Sequence, residues 1–471
     1  MNRTASDHTV GALAAATRDL LIEVRGDDRI QIGGLTRNSA DVESGDLFFC
    51  VPGTTSDGHL FAAEAVTRGA AALCVERILE VDVPQIVVSD VRRSMGRIGA
   101  RFWNEPAASM MLLGITGTNG KTTTAYLLES ILNAAGRTTG LVGTIETRIV
   151  GRRLPGVRTT PDSLEMQQLM AEMAAEGVDA VAMEVTSHGL ALHRVEGLRF
   201  AVAAFTNLSQ DHLDFHAGME EYFAAKRSLF SVDLAELGVV NVDDPHGRRL
   251  MAEAEIDCIG FGTAPEADVR AEDVSSGPRG TEFLVAHDGG ELKVATSLIG
   301  LFNVSNCLAA TAVALQAGVE PGAIEAGISN LKAVPGRFEP VDVGQPFTVV
   351  VDYAHTPDSL DNVLRAARRF VVPAAGRVLC TFGCGGDRDR GKRPLMGSVA
   401  ARLADFVVVT SDNPRSEDPR QIVDAIVEGV LAETPDGPDD VLVDRRAAIA
   451  RVLAEARPGD IVVIAGKGHE T

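Results

Sequence analysis

Short apolar runs recur along the chain, and most are followed by a glycine-rich or charged loop. The run Asp46 to Val51 predicts a strand, His59 to Gly69 a helix, and Ala70 to Val75 a second strand. Met110 to Gly114 reads as a buried strand. It precedes a helix over Ala125 to Ala135, with Leu128, Ile131, Leu132 and Ala135 at helical spacing. Further strands are predicted at Val178 to Val185, Ala201 to Leu208 and Gly238 to Val242. Four more follow, at Thr348 to Val351, Val378 to Phe382, Phe406 to Thr410 and Ile461 to Ala465. Strands alternating with helices imply an α/β fold with mostly parallel sheets, and ligands of such sheets bind beyond the carboxyl ends of the strands. Glu105-Pro106 and the hinge-like Val334-Pro335-Gly336-Arg337 divide the chain into expected domains at 1–107, 108–336 and 337–471.

Composition narrows the choice of function. A length of 471 residues is right for about three domains, and 45% hydrophobic residues fill their cores easily. With 44 Lys and Arg against 65 Asp and Glu the net charge is −21, which argues against a general nucleic-acid or membrane-surface role. A small anionic ligand held by a few placed cations remains compatible with that charge. Of the six cysteines only Cys380 and Cys384 are close in sequence, and no second pair completes a metal site. They read as reduced core residues of a cytoplasmic protein. The opening MNRTASDHTV lacks a secretory pattern, and no apolar run reaches the roughly 18 residues of a membrane helix.

The densest chemistry lies at Gly117-Thr118-Asn119-Gly120-Lys121-Thr122. A strand, a glycine turn and a helix opening with Lys-Thr form the layout of a phosphate-binding loop. Backbone N–H groups and the helix N-terminus would cradle phosphate, Lys121 would reach the outer phosphates, and the Thr122 hydroxyl would ligate Mg²⁺. The usual first glycine of such a loop is Ile115 here, so only the second half of the pattern fits. Glu184 closes an apolar strand and calls for a nearby cation or metal. His212, in Asp211-His212-Leu213-Asp214, is equally a metal ligand or a capping histidine. Lys226 lies in an apolar-rich helix; spacing alone favours a solvated side chain, whereas burial would leave a neutral, reactive amine. Asn303 and Asn306, three apart on one helix face, can hold an adenine or ribose edge or cap a helix. The Thr54 to His59 loop either binds a ligand or merely turns the chain. In the last third, four strands each run into a charged loop, a Rossmann-like layout with its binding loops on one edge.

These motifs together resemble one family. GTNGKTT, MEVTSHGLALHRV, TNLSQDHLDFH, YFAAK, GLFNVSN, DYAHTPDSL, FGCGGDRDRGKRP, SDNPR and GKGHE occur in the order found in the Mur ligases, and within them the chain looks like a diaminopimelate-adding member. The resemblance implies a small N-terminal α/β UDP-binding domain, a central P-loop parallel-sheet ATPase domain and a C-terminal Rossmann-like amino-acid-binding domain, the last expected to be incomplete at Thr471. It implies an ATP-dependent ligase that phosphorylates the γ-carboxyl of D-Glu in UDP-MurNAc-L-Ala-D-Glu. The amine of meso-diaminopimelate then attacks the acyl phosphate. ATP contacts would come from Gly117 to Thr123, Asn303, Asn306, Arg337 and Asp352. Catalysis would rest on Lys121, Glu184, His212 and Lys226. Mg²⁺ would sit among Thr122, Glu184, His212 and Lys226, the last as an N6-carboxylysine carbamate. The sugar nucleotide would meet Ser39, Thr54, Thr55, Ser56, Thr159, Thr160, Thr186 and Arg194. The chain departs from the family pattern at Asn38, Ala40 and Leu192. Diaminopimelate would meet Arg388, Asp412, Asn413, Pro414, Arg415, Gly466 and Glu470, with the Arg415 fork suited to its distal carboxylate. A cytoplasmic monomer that binds no nucleic acid and inserts in no membrane is expected. The alternatives are a lysine-adding relative, another Mur-type or folylpolyglutamate ligase, or an inactive nucleotide-binding homologue.

Overall fold

The computed structural model describes residues 8–53, 56–156, 158–277, 280–371 and 376–470. It divides into two compact units, one formed by Met1–Leu112 with Thr138–Ala201 and the other by Leu113–Arg137 with Val202–Thr471.

In the first unit a five-stranded sheet runs in the order Leu21–Arg25, Gln85–Val88, Ala72–Val75, Asp46–Phe49, Gly34–Thr36. The last four are parallel and Leu21–Arg25 is antiparallel to its neighbour. Alternate side chains of each inner strand enter different cores. Leu47, Phe49, Ala72 and Cys74 pack on one face, and Phe48, Leu73, Val75 and Val87 on the other. That is why these strands read as continuous apolar runs. Helix Val91–Phe102 presents Val91, Met95, Ile98 and Phe102 to the first core at helical spacing. The predicted helix over 59–69 begins with a 3₁₀ turn, Gly58–Phe61, before helix Ala62–Arg68. The same unit holds strand Ala180–Glu184 parallel to Thr139–Val142. Thr139–Val142 then continues antiparallel into Glu146–Ile149 and Arg152–Pro155.

In the second unit strand Met111–Thr116 pairs in parallel with Phe200–Phe205 through Leu113↔Val202 to Thr116↔Phe205. The sheet extends through Ala235–Asn241, Asp257–Gly262 and Val269–Gly277. It ends in two antiparallel strands, Gly280–His287 and Gly290–Thr296. The sequence reading had none of this antiparallel extension, because its half-exposed strands lack a continuous apolar run. A six-stranded sheet follows in the order Glu339–Val341, Thr348–Asp352, Ile461–Ala465, Val378–Phe382, Phe406–Thr410, Asp440–Leu442. All but Glu339–Val341 are parallel, so their charged loops leave from one edge. All six cysteines are free, and five are buried. Among the described residues no helix is long and apolar enough to cross a membrane.

Helices Lys392–Leu403 and Pro419–Glu433 approach through reciprocal glycines. A Cβ on Gly397 would overlap the Ile426 carbonyl oxygen, and one on Gly429 the Pro394 carbonyl oxygen. Alanine at a helix interior normally gains up to about 1 kcal/mol over glycine. At Gly397 the contact with backbone reverses that sign. Gly397→Ala is expected to destabilise the protein by about 1–3 kcal/mol, read as a lower melting temperature; an unchanged or raised one would refute the close approach.

Candidate active site

Strand Met111–Thr116 delivers Gly117, and helix Lys121–Ala134 opens after Gly120. Both glycines have positive φ, 146° and 87°. A Cβ on Gly117 would overlap the Thr206 hydroxyl, and one on Gly120 the Asn306 amide oxygen, so glycine is required for space as well as conformation. The loop is clamped by the segment following Phe200–Phe205. Thr206 Oγ1 donates to the Asn119 carbonyl at 2.6 Å, Asn207 Oδ1 accepts from Asn119 N at 2.9 Å, and Asn207 O accepts from Thr118 N at 2.9 Å. The loop backbone is thus fixed by the protein's own hydrogen bonds, at the start of a helix whose first N–H groups favour an anion.

Two lysines converge on one oxygen of this loop. Lys121 Nζ donates to the carbonyls of Gly117 and Thr118, both at 2.8 Å, and Lys226 Nζ donates to the same Gly117 carbonyl at 2.8 Å. Lys226 is 1% exposed, with its amine 4.5 Å above the Tyr222 ring. Burial, reinforced by the Lys121 charge and opposed by Asp211, holds its pKa well below that of an ordinary lysine. The solvated lysine favoured by spacing alone is therefore corrected: the helix Met219–Arg227 turns Tyr222, Phe223 and Lys226 into the protein. Burial thus favours the neutral amine over the ammonium, and the neutral amine is the form that acts as a nucleophile.

Asn303 and Asn306 share a face of helix Leu301–Gln316, with Asn306 Nδ2 donating to Asn303 Oδ1 at 2.9 Å. Arg337 Nη2 donates to Thr122 Oγ1 at 3.0 Å, and its guanidinium lies 4.5 Å over the Tyr353 ring. Asp352 accepts from the backbone N–H of Phe338 at 2.6 Å and of Ala354 at 2.7 Å. Burial raises its carboxyl to about 6, against the lowering effect of Arg337 and those two N–H groups. Its Oδ2 thus ties Phe338, next to the hinge-like segment, to the sheet edge, while Oδ1 holds Ala354 in the loop after the strand.

Residues to which sequence reasoning gave no role join this cluster. Asp358 Oδ2 accepts from Asn119 Nδ2 at 2.8 Å and Ser209 Oγ at 3.4 Å. Asp389 accepts from Gln210 Nε2 at 3.1 Å. Asp211 lies 3.4 Å from His212 Nε2, 3.8 Å from His355 Nε2 and 3.6 Å from Lys392 Nζ. The available signal was position: Asp211 precedes His212, Tyr222 stands one helical turn before Lys226, and Asp358 and Lys392 fall in motifs already noted.

At the edge of the last sheet Asn413 Nδ2 donates to Glu470 Oε2 at 2.8 Å and Tyr353 OH to Glu470 Oε1 at 3.0 Å. Arg415, with φ 49°, donates through Nη1 to the Gly386 carbonyl at 2.7 Å. A Cβ on Gly466 would stand 2.9 Å from Asp412 Oδ2, and one on Gly386 would overlap the Pro414 carbonyl. Burial raises the Asp412 carboxyl, while Arg445, which donates to the carbonyls of Ser411 and Ala465, lowers it. Arg388 lies 3.9 Å from Asp214.

In the first unit Glu184 is buried at a strand end, and its carboxylate accepts from Thr144 N at 2.7 Å and Thr144 Oγ1 at 3.0 Å. Thr144 reaches Thr159 at 3.0 Å. Thr160 Oγ1 donates to the Glu184 carbonyl at 3.0 Å and reaches Thr186 Oγ1 at 3.1 Å, and Arg194 Nη1 donates to the Thr160 carbonyl at 3.0 Å. Glu184, Thr159, Thr160, Thr186 and Arg194 are thus brought together. Ser39 instead donates to Glu64 at 3.3 Å, and Asn38 accepts from Ala40 N, capping the turn Ser39–Asp41. Ser56 accepts from Gly53 N through its carbonyl. Thr54 and Thr55 lie outside the described residues. Among the described residues no group of three His, Cys, Asp or Glu side chains forms a ready metal cage. The set expected for Mg²⁺ differs in kind, because it includes a hydroxyl and a carbamate.

Burial, with the Lys392 charge, lowers His355 from 6.5 to about 4, against the Asp211 charge. A depressed histidine contributes stability that is present above its unfolded pKa and lost as pH falls through the folded one. Stability should therefore fall as pH drops from 6.5 to about 4. His355→Gln is expected to flatten that part of the curve of melting temperature against pH; an unchanged slope would show that the ring titrates normally.

Comparison with known proteins finds matches in three successive stretches of the chain. Family models described as Mur ligase family, catalytic domain; Mur ligase middle domain; and Mur ligase, glutamate ligase domain match residues 31–103, 115–314 and 336–468. The chain is similar to the UDP-N-acetylmuramoyl-L-alanyl-D-glutamate–2,6-diaminopimelate ligase of Geobacillus thermodenitrificans, at 48% identity over 451 residues, covering 93% of this chain and 90% of that protein. It is also 48% identical over 446 residues to the protein of the same name from Solibacter usitatus, covering 94% and 89%. A solved structure of a ligase of that name superposes with a TM-score of 0.71 at 34% identity, covering 95% of this chain and 92% of that one.

Proposed function

Because the chain belongs to the Mur ligase family of ATP-dependent amide ligases, we propose that it joins meso-diaminopimelate to the γ-carboxyl of D-Glu in UDP-MurNAc-L-Ala-D-Glu, in cytoplasmic peptidoglycan precursor synthesis. Residues 1–107 would hold the uridine end of that substrate, 108–336 ATP, and 337–471 the amino acid, in a monomer. The carboxylate oxygen bonds to the γ-phosphorus as the bond to the β,γ-bridging oxygen breaks and ADP leaves. The amine nitrogen then bonds to the acyl carbon, the bond from that carbon to the phosphate oxygen breaks, and the amine loses a proton.

The observation that carries this reading is the buried Lys226 amine, 2.8 Å from the phosphate-loop carbonyl that Lys121 also holds. A neutral amine in that position can add CO₂ and lose a proton, which would place a carbamate anion where an ordinary lysine would put a cation. Oxygen-rich donors suit Mg²⁺, and Thr122, Glu184, His212 and carbamylated Lys226 would hold it, with water and substrate phosphates completing its shell. Bound Mg²⁺ would neutralise charge on the phosphoryl oxygens. Gly117 to Thr123 orient the phosphates, while Asn303, Asn306, Arg337 and Asp352 are assigned to the nucleotide. Ser39, Thr54, Thr55, Ser56, Thr159, Thr160, Thr186 and Arg194 are assigned to the sugar-nucleotide dipeptide. Asp358, Asp389 and Arg337, bonded to the phosphate loop and the segment after it, would hold the amino-acid loops against the reacting centre and exclude water from the acyl phosphate.

For the incoming amino acid, Arg388, Asp412, Asn413, Pro414, Arg415, Gly466 and Glu470 are the assigned contacts. Arg415 keeps part of its fork for the distal carboxylate of diaminopimelate and repels the ammonium in which lysine ends. Glu470, set by Asn413 and Tyr353, suits the distal ammonium.

ADP release with Mg²⁺, ATP and the UDP-MurNAc-dipeptide tests the reading, with meso-diaminopimelate or L-lysine added separately. Release only with diaminopimelate is expected; release only with lysine would keep the ligase and overturn the amino-acid assignment. Arg415→Ala should raise the KM for diaminopimelate by about 10- to 100-fold with that for ATP nearly unchanged, and equal losses would refute its role. Lys226→Ala should lose most activity and regain part of it with acetate or formate. Full activity without any addition would remove Lys226 from the mechanism.

A further inference from the structure

Lys392 is the first residue of helix Lys392–Leu403 and is 4% exposed. Its ammonium has three protons to donate, yet among the described residues none of them enters a hydrogen bond. The nearest carboxylate, Asp211 Oδ1, stands at 3.6 Å. Lys121, by contrast, is anchored on two carbonyls at 2.8 Å. A buried ammonium held just beyond hydrogen-bonding distance of its counter-ion has lost water without full compensation, which is costly. An anion arriving in the site would offset that cost.

The surroundings identify that anion. Asp211 is next to His212, and its charge is felt by Lys226, which bonds to the same Gly117 carbonyl as Lys121. Lys392, at the start of its helix, is thus linked through Asp211 to the group that contains the phosphate-loop lysine. His355 also approaches Asp211, at 3.8 Å, but its Nδ1 is engaged at 2.8 Å with the Tyr353 carbonyl, to which only a protonated nitrogen can donate. The ring then presents a lone pair at Nε2 and adds no cation in its neutral form. The amino-acid loops form their own set through Asn413, Glu470 and Tyr353, and Lys392 makes no hydrogen bond to it. The close approach at Gly397 and Gly429 fixes the helix that carries Lys392.

We propose that Lys392 is a further catalytic residue of this ligase, its ammonium binding the transferred phosphoryl group from its arrival on the substrate carboxylate until it leaves as phosphate. The proposal rests on the ligase reading above. In the first step negative charge develops on the phosphoryl oxygens as the bond to ADP breaks. In the second it returns to them as the carbon–oxygen bond of the acyl phosphate breaks and the C–N bond remains. A compact, dry point charge stabilises both. Because it is carried by the C-terminal sheet, this cation is present only when that sheet's loops are docked on the phosphate loop, so the acyl phosphate is stabilised only where the amine can reach it.

The test uses the full chain with Lys392→Ala and Lys392→Arg. Without amino acid, scrambling of the β,γ-bridging oxygen of ¹⁸O-labelled ATP in the presence of the UDP-MurNAc-dipeptide reports acyl-phosphate formation. With diaminopimelate, ADP release gives kcat and KM. Lys392→Ala is expected to lose about 10²–10³-fold in both scrambling and kcat, keep its KM for diaminopimelate within about threefold, and recover partly with ethylammonium. Calorimetry of inorganic phosphate on the ADP-loaded protein should give at least about tenfold weaker binding in the variant. Should Lys392→Ala unfold, Lys392→Arg, which retains charge but shifts it, is expected to show the same loss of kcat at unchanged KM, at least about tenfold. Scrambling and kcat within about threefold of wild type would overturn the proposal. So would a raised KM for diaminopimelate with scrambling unchanged, which would assign Lys392 to the amino acid. A wild-type protein that releases no ADP with either amino acid would overturn the ligase reading itself, and this proposal with it.

Discussion

The second unit depends on how two lysine side chains share one carbonyl oxygen. Two ammonium ions on the Gly117 carbonyl would repel strongly in a site with little water. Lys121, at the start of a helix beside the phosphate loop, is anchored on the Gly117 and Thr118 carbonyls. Lys226, fully buried over Tyr222, has its pKa lowered towards the neutral form. The same burial that makes Lys226 a poor cation makes it a good nucleophile. The phosphate loop is built around that asymmetry: its glycines cannot be replaced without striking Thr206 or Asn306, and its backbone is pinned by Asn207.

Around this centre polar contacts attach the C-terminal loops, beside an apolar contact in which Ile299 and Phe302 pack on the core of the last sheet. Asn119 with Asp358, Gln210 with Asp389, Thr122 with Arg337, and Asp211 with Lys392 are individually modest links. Such contacts contribute about 0.5–3 kcal/mol each and exchange readily with water. Polar links of that kind can break and re-form as substrates enter and leave. In a ligase that must protect an acyl phosphate from hydrolysis and still release its product, that balance is functional.

Much of this was legible in the chain. The inner strands Val378–Phe382, Phe406–Thr410 and Ile461–Ala465 appear where their apolar runs end, because a strand buried on both faces leaves an uninterrupted signal. The phosphate loop was legible because glycine, lysine and threonine serve it through backbone geometry and local reach. The antiparallel strands Gly280–His287 and Gly290–Thr296 were not, since half-exposed strands mix polar and apolar residues without a distinctive run. The polar partners Asp211, Asp358 and Lys392 were visible as letters but not as a group, because an acidic or basic residue in a loop is usually solvated.

Sequence alone determined the α/β class, the phosphate loop, the charged loops at strand ends and the family these motifs resemble, all of which depend on residues close together along the chain. Tertiary structure decided which charges lose their water. Lys226 has a lowered pKa because burial and the Lys121 charge disfavour its cation, and Lys392 is buried beside Asp211 because a helix packed through Gly397 and Gly429 carries it there. Desolvation depends on neighbours hundreds of residues apart, and local spacing carries no record of it.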